Sequence, residues 1–179
     1  MKLQIRNIVI GDFDSIFDIN RTSIPNVFEL NAHEFSLLLN LCEYSKVINF
    51  NNEIAGYIFV VGRGQAYDGE EYNWFCENLN DEFLYVDQIA IGGKWQGMGC
   101  GRALYKDLEN YAVNHQKTAL VCEVNYKPLN QSSMAFHKRL GFNELSHLEA
   151  RGIVVSLLAK RDLRENSNGM QPDSAEPHN

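Results

Sequence analysis

Three glycines at alternate positions, Gly97, Gly99 and Gly101, constrain this chain more than any other feature. Ahead of them runs Phe83 to Ile91, dense in the β-branched and aromatic residues that favour strands. Behind them Ala103, Leu104, Leu108, Tyr111 and Ala112 recur at helical spacing, so a helix starts inside the glycine run. Glycine lets backbone approach a ligand closely, because no Cβ intervenes. The first helical turn adds unpaired N–H groups and the positive end of the helix dipole. Strand, glycine turn and helix N-terminus together read as a phosphate cradle. The bland alternative is a tight turn whose glycines only solve a packing problem.

The spacing excludes two common phosphate loops. No Gly-Lys-Ser or Gly-Lys-Thr follows, as a P-loop requires, and the third glycine comes two residues after the second, too soon for the dinucleotide fingerprint. The stretch instead resembles the Gln/Arg-x-x-Gly-x-Gly/Ala loop of the GCN5-related N-acetyltransferases. Gln96, Gly99 and Gly101 match it position for position, Ile91 stands at the hydrophobic position before it, and Gly93 replaces a frequent proline. A second stretch, Asn130 to Phe142, resembles the family's later signature of Asn, a short helix and Gly-Phe. Leu-Tyr-Val-Asp before the loop and Cys-Glu-Val-Asn after it are similar to a bacterial subgroup of predicted acetyltransferases.

The resemblance implies an α/β fold over residues 1–162, with a mixed central sheet of about seven strands, flanking helices, and strands splayed at the acetyl-CoA site. It implies acetyl-CoA as co-substrate, held by the Gln96, Gly97, Met98, Gly99, Cys100, Gly101, Arg102 turn, by main-chain groups of Ile89, Ala90 and Ile91, and by Asn130, Ser133 and His137. The implied reaction is acetyl transfer to a primary amine of a small molecule or peptide. A coenzyme A-binding sensor without turnover is the competing reading, and a protein using the loop for another nucleotide is a third.

The pattern along the chain agrees. Leu3 to Ile10 reads as a strand, Asp12 or Asp14 as the cap of a helix carrying Phe13, Ile16, Phe17 and Ile19, and Asn31 onward as a second helix with Phe35, Leu38, Leu39 and Cys42 inward. Val47–Phe50 and Ile54–Val61 flank Asn51-Asn52-Glu53 as a hairpin. Residues 62–82 form a long connection holding Tyr67, Tyr72, Trp74 and Phe75, read as an ordered insertion with a helical turn at 73–77. It either lies over the acceptor side or only covers apolar surface. Ala119–Asn125 is a central strand, and Glu144–Arg151 with Ile153–Ala159 a closing hairpin. Residues 163–179 are polar and read as a disordered tail.

A net charge of −7 without a basic run disfavours a nucleic-acid partner. Cys42, Cys76, Cys100 and Cys122 show no metal-ligand spacing and read as reduced thiols, and no apolar run approaches a membrane span. A cytoplasmic protein without metal is expected, as monomer or homodimer.

An alkylammonium with a pKa near 10.4 is neutral about once in 2,500 molecules at pH 7, a handicap of about 4.6 kcal/mol, so a base has work to do. Glu123, an acid within an apolar strand, is the first candidate, since it resembles the glutamate serving that purpose in acetyltransferases of ribosomal-protein N-termini. A structural ion pair is its alternative role. Asp87 is the second candidate. His137 occupies the position where many family members carry a proton-donating tyrosine, and it reads either as donor to the departing sulfur or as part of the cofactor wall. Tyr57 and Tyr85 are further donors or simply core.

Overall fold

The computed structural model describes residues 3–161 and 163. Seven strands form one sheet: β1 (Leu3–Asn7), β2 (Cys42–Phe50), β3 (Glu53–Gly62), β4 (Phe83–Ile91), β5 (Ala119–Lys127), β6 (Asn143–Ala150) and β7 (Ile153–Arg161). Their order is β1-β2-β3-β4-β5-β7-β6. Every neighbouring pair is antiparallel except β4 and β5, and that parallel pair is joined by the crossover helix α4 (Cys100–Asn114).

Period-two alternation assigns each strand residue to a face. Tyr57, Phe59 and Val61 of β3 point toward α1 (Phe13–Ser23), α2 (Ala32–Leu41) and α3 (Glu70–Asn78), where Ile16, Phe35 and Phe75 are buried. Ile58 and Val60 point the other way, onto Leu104, Tyr105 and Leu108 of α4. The last helix, α5 (Gln131–Arg139), packs Met134 and Phe136 against that second layer. Gly141, with φ of +90°, turns the chain out of α5 into β6.

Several sequence expectations shift. Asn31 caps α2 by accepting from His33 and Glu34 amides, as its sequence position suggests. Asp12 precedes α1, but its carboxylate is spent on Arg6, at 2.6 and 2.7 Å, and on the Val9 amide at 2.8 Å, leaving no bond to the helix. Cys42 both caps α2, donating its N–H to the Leu38 carbonyl, and opens β2, where it pairs with Val61. The turn expected at 73–77 is the nine-residue helix α3, anchored by Arg63, whose guanidinium donates to the Cys76, Leu79 and Asp81 carbonyls at its C-terminal end. Leu163, the first residue of the expected tail, is buried in the α4-side core; residues 164–179 of that tail lie outside the described residues.

Candidate active site

The parallel ladder between β4 and β5 is short. It runs from Phe83↔Ala119 to Val86↔Cys122 and stops. Beyond it the strands diverge, leaving the β5-facing backbone of Asp87 to Ile91 without a strand partner. Asp87 is also a bulge residue: Phe59 pairs with Gln88 and Val60 with Val86, so Asp87 has no opposite number on β3. A bulge re-aims its side chain, which is why bulges gather beside functional clefts. The opening therefore begins between Asp87 on one strand and Glu123 on the other.

One cavity fills the opening, with a volume of about 100 Å³. Asp87, Gln88, Glu123, Asn125 and Arg151 line it, with Pro25 to Phe28 as its cover. A second, more open cleft lies on the α4 side, lined by Ile89, Ile91, Trp95, Gln96, Gly97, Gly99 to Arg102, Ser132, Ser133, Phe136, His137 and Arg139. Ser133, His137 and Ile89 border both, so the two clefts meet through the splay.

The glycines divide their labour. Gly97 and Gly99 have φ of +75° and +83°, and a Cβ on either would meet nothing within 4 Å, so their open side faces the cleft. A Cβ on Gly101 would sit 3.1 Å from the Phe136 ring, so this glycine lets α4 pack against α5. The first backbone bond of α4 runs from Ala103 N–H to Gly99 O, leaving the Cys100, Gly101 and Arg102 amides unused by the helix. Gln96 donates its side-chain amide to the Ile91 carbonyl at 3.1 Å and so fastens the loop to the strand end. Met98 is exposed on the same loop, and Ala90 is buried against β3, offering only backbone. Open glycines, free amides and the cations Arg102 and Arg139 fit an anionic, phosphate-bearing ligand.

Glu123 and Asp87 share an acidic, desolvated corner. Glu123 Oε2 is sealed from solvent without a hydrogen-bond partner, and burial, then Glu71 and Asp87, push its carboxyl up to about 8. Asp87 is pushed up to about 6, chiefly by burial, while a hydrogen bond from the Tyr67 hydroxyl pulls the other way. Buried carboxylates unpaired by cations rise in this way because the charged form loses solvation.

His137 is buried, with both ring nitrogens engaged. Nδ1 lies 2.8 Å from the Ser133 carbonyl, which can only accept, so Nδ1 carries the proton. Nε2, 2.8 Å from the Tyr105 hydroxyl, is then the acceptor. Burial lowers the ring's pKa, which agrees with this neutral form. In this tautomer both ring nitrogens are occupied by protein partners, and the ring borders both cavities. Tyr57 and Tyr85 are core residues lining neither cleft, and the Tyr57 hydroxyl is committed to Gln88 Oε1 at 3.0 Å. Asn130 caps α5 through the Ser133 amide at 3.1 Å and holds Asn26 Oδ1 at 2.8 Å, so it also anchors the cavity cover.

Sequence reasoning missed Tyr105, Arg151 and the bond from Tyr67 to Asp87. Tyr105 sits beside Leu104 and in register with Leu108 and Ala112, a helical pattern indistinguishable from core. Arg151 stands in a hairpin turn, and Tyr67 was visible only as an aromatic in the insertion.

Among the described residues no group of three His, Cys, Asp or Glu could hold a metal ion, the four cysteines are free, and no helix is long and apolar enough to cross a membrane.

Comparison with known families matches residues 13–142 to the model described as the acetyltransferase (GNAT) family. Among solved structures, Ard1 from Thermoplasma volcanium superposes with a TM-score of 0.72 at 16% identity, over 89% of this chain and 97% of that one. An N-acetyltransferase from Staphylococcus aureus Mu50 gives 0.68 at 16% identity, over 90% and 99%. The ribosomal-protein-S18-alanine N-acetyltransferase from Escherichia coli gives 0.65 at 17% identity, over 89% and 94%. No curated protein matches the sequence.

Proposed function

Because the chain belongs to the acetyltransferase (GNAT) family, we propose that it moves an acetyl group from acetyl-CoA to a primary amine, with Glu123 as the base. The observation that carries the reading is the splay itself: a phosphate-type cradle opens on one side of it, and on the other a carboxylate with one oxygen, Glu123 Oε2, buried without a partner.

Residues suited to hold the co-substrate are Gly97, Gly99 and the amides of Cys100 to Arg102 for the phosphates, with the free backbone edge of Ile89 to Ile91 for the pantetheine arm. Acetyl-CoA, when bound, supplies the acetyl group: its C–S bond breaks as the amine's N–C bond forms, and the thiol leaves. Glu123 accepts the amine proton. A carboxyl near 8 is a better match to an alkylammonium near 10.4 than an ordinary one near 4.5, and it is ionised in a useful fraction at neutral pH. Asp87 keeps a negative charge beside it, which attracts the ammonium and raises Glu123's proton affinity. His137, neutral and held by Ser133 and Tyr105, forms part of the wall where the two clefts meet. A departing thiol has an ordinary pKa near 8.5, so it can leave as thiolate and take a proton from solvent. Four free cysteines are consistent with a reducing, cytoplasmic setting.

The test is release of free thiol from acetyl-CoA across a panel of amines. Release that requires both acetyl-CoA and an amine is expected. Tight acetyl-CoA binding with no release for any amine, small or peptidic, would favour the sensor reading instead.

A further inference from the structure

Resting on that acetyltransferase reading, we propose that the acceptor is a small amine with no carboxylate beside it, and that Phe28 and Arg151 bar an extended peptide from the cavity. Three observations converge on this. The first is charge. Arg151 is the one cation lining the cavity among the described residues, and its guanidinium is already paired with the buried Glu71. Asp87 and Glu123 face the same space, so an ammonium finds two acids, whereas a carboxylate next to it finds no free cation and meets repulsion.

The second is closure. The cover, Pro25 to Phe28, is fastened from four directions. Asn20 donates to the Phe28 carbonyl at 2.7 Å and Gln88 to the same carbonyl at 3.3 Å. Asn125 reaches the Pro25 carbonyl at 3.4 Å, and Asn130 holds Asn26 at 2.8 Å. Above this, the Arg151 guanidinium lies 3.8 Å from the centroid of the Phe28 ring. That stack joins the α1–α2 loop to the β6–β7 turn across the cavity, and Glu71 on α3 holds Arg151 in place. An extended chain leaving the cavity between those two segments would have to break it. The third is size: about 100 Å³ has room for several waters and hence for a short alkylamine, not for a peptide backbone with its side chain.

The experiment compares four acceptors with the full-length protein: an alkylamine, a straight-chain diamine, an amino acid of the same carbon length, and a tetrapeptide with a free N-terminus. Thiol release gives kcat/KM for each, and calorimetry gives binding independently of turnover. Both amines are expected to exceed the amino acid and the tetrapeptide by about tenfold or more. Phe28→Ala, at a half-exposed position, should narrow the gap for the tetrapeptide and leave the amine-to-amino-acid ratio unchanged. A wild-type protein that binds or acetylates the tetrapeptide or the amino acid better than the amines overturns the inference. Amines that bind selectively but release no thiol sustain the pocket's selectivity and contradict only the acetyl-transfer reading.

Discussion

The Tyr67 hydroxyl donates a hydrogen bond to Asp87 Oδ1, so the insertion between β3 and β4 reaches into the acceptor corner and satisfies one of its two carboxylates. Glu123, across the splay, keeps an oxygen without a partner. This asymmetry distinguishes two acids that composition alone makes equivalent, and it supports Glu123 as the proton acceptor and Asp87 as the fixed charge beside it.

Removing that bond with Tyr67→Phe gives a test with opposite signs for the two acids. The bond lowers Asp87's pKa, so its loss raises it, and Asp87 is then less often charged at neutral pH. A less charged Asp87 raises Glu123 less. With Glu123 as the base, the rising limb of the pH–rate profile moves to lower pH. A shift to higher pH would identify Asp87 as the base instead.

The cofactor cradle is tested by Arg102→Glu. Arg102 is exposed in the first turn of α4, lines the cleft and makes no ion pair among the described residues, so reversing it leaves the core intact. Acetyl-CoA affinity should fall about tenfold or more, equivalent to about 1.4 kcal/mol. Trp95 offers the readout, since its ring borders the cleft and its Nε1 is buried without a partner. Acetyl-CoA should change the fluorescence of wild type and of Trp74→Phe, but not of Trp95→Phe. Replacing Gly99 is a poorer test, because φ of +83° strains any larger residue whether or not a ligand is present.

Glu123 also leaves a signature in stability. Its pKa is raised from 4.5 to about 8, so the folded state binds a proton more tightly than the unfolded chain. That contribution is fully present below the unfolded value and is lost as pH rises through about 8. Glu123→Gln removes the loss. Its melting temperature relative to wild type should therefore climb with pH across that window and level off above it. A difference independent of pH would mean that Glu123 titrates normally in the fold.

How much of this could be read beforehand depended on whether the signal was local. The loop from Gln96 to Arg102 and the Asn130 signature are contiguous, with glycines and a cap that local backbone geometry requires, so the family resemblance could be read there directly from the sequence. Glu123 stood out as the one acid within an otherwise apolar run. The Asp87 bulge was hidden, because it arises from how β3 registers against β4 and not from any residue preference. His137 was legible as a special position but not in its protonation state, which two partners set: the Ser133 carbonyl and the Tyr105 hydroxyl. The bridge from Arg151 to Phe28 and Glu71 joins residues far apart in the chain, and nothing local announces it.

The most direct measurement is single-turnover thiol release from acetyl-CoA with a small amine, in wild type and Glu123→Gln, over pH values spanning 8. Wild type should show a rate that rises with pH through about 8, where the Glu123 carboxyl ionises. Glu123→Gln should lose that limb and run roughly 10²–10⁴ slower near neutrality, with acetyl-CoA affinity unchanged. A Glu123→Gln enzyme that keeps both the wild-type rate and the limb would contradict the account.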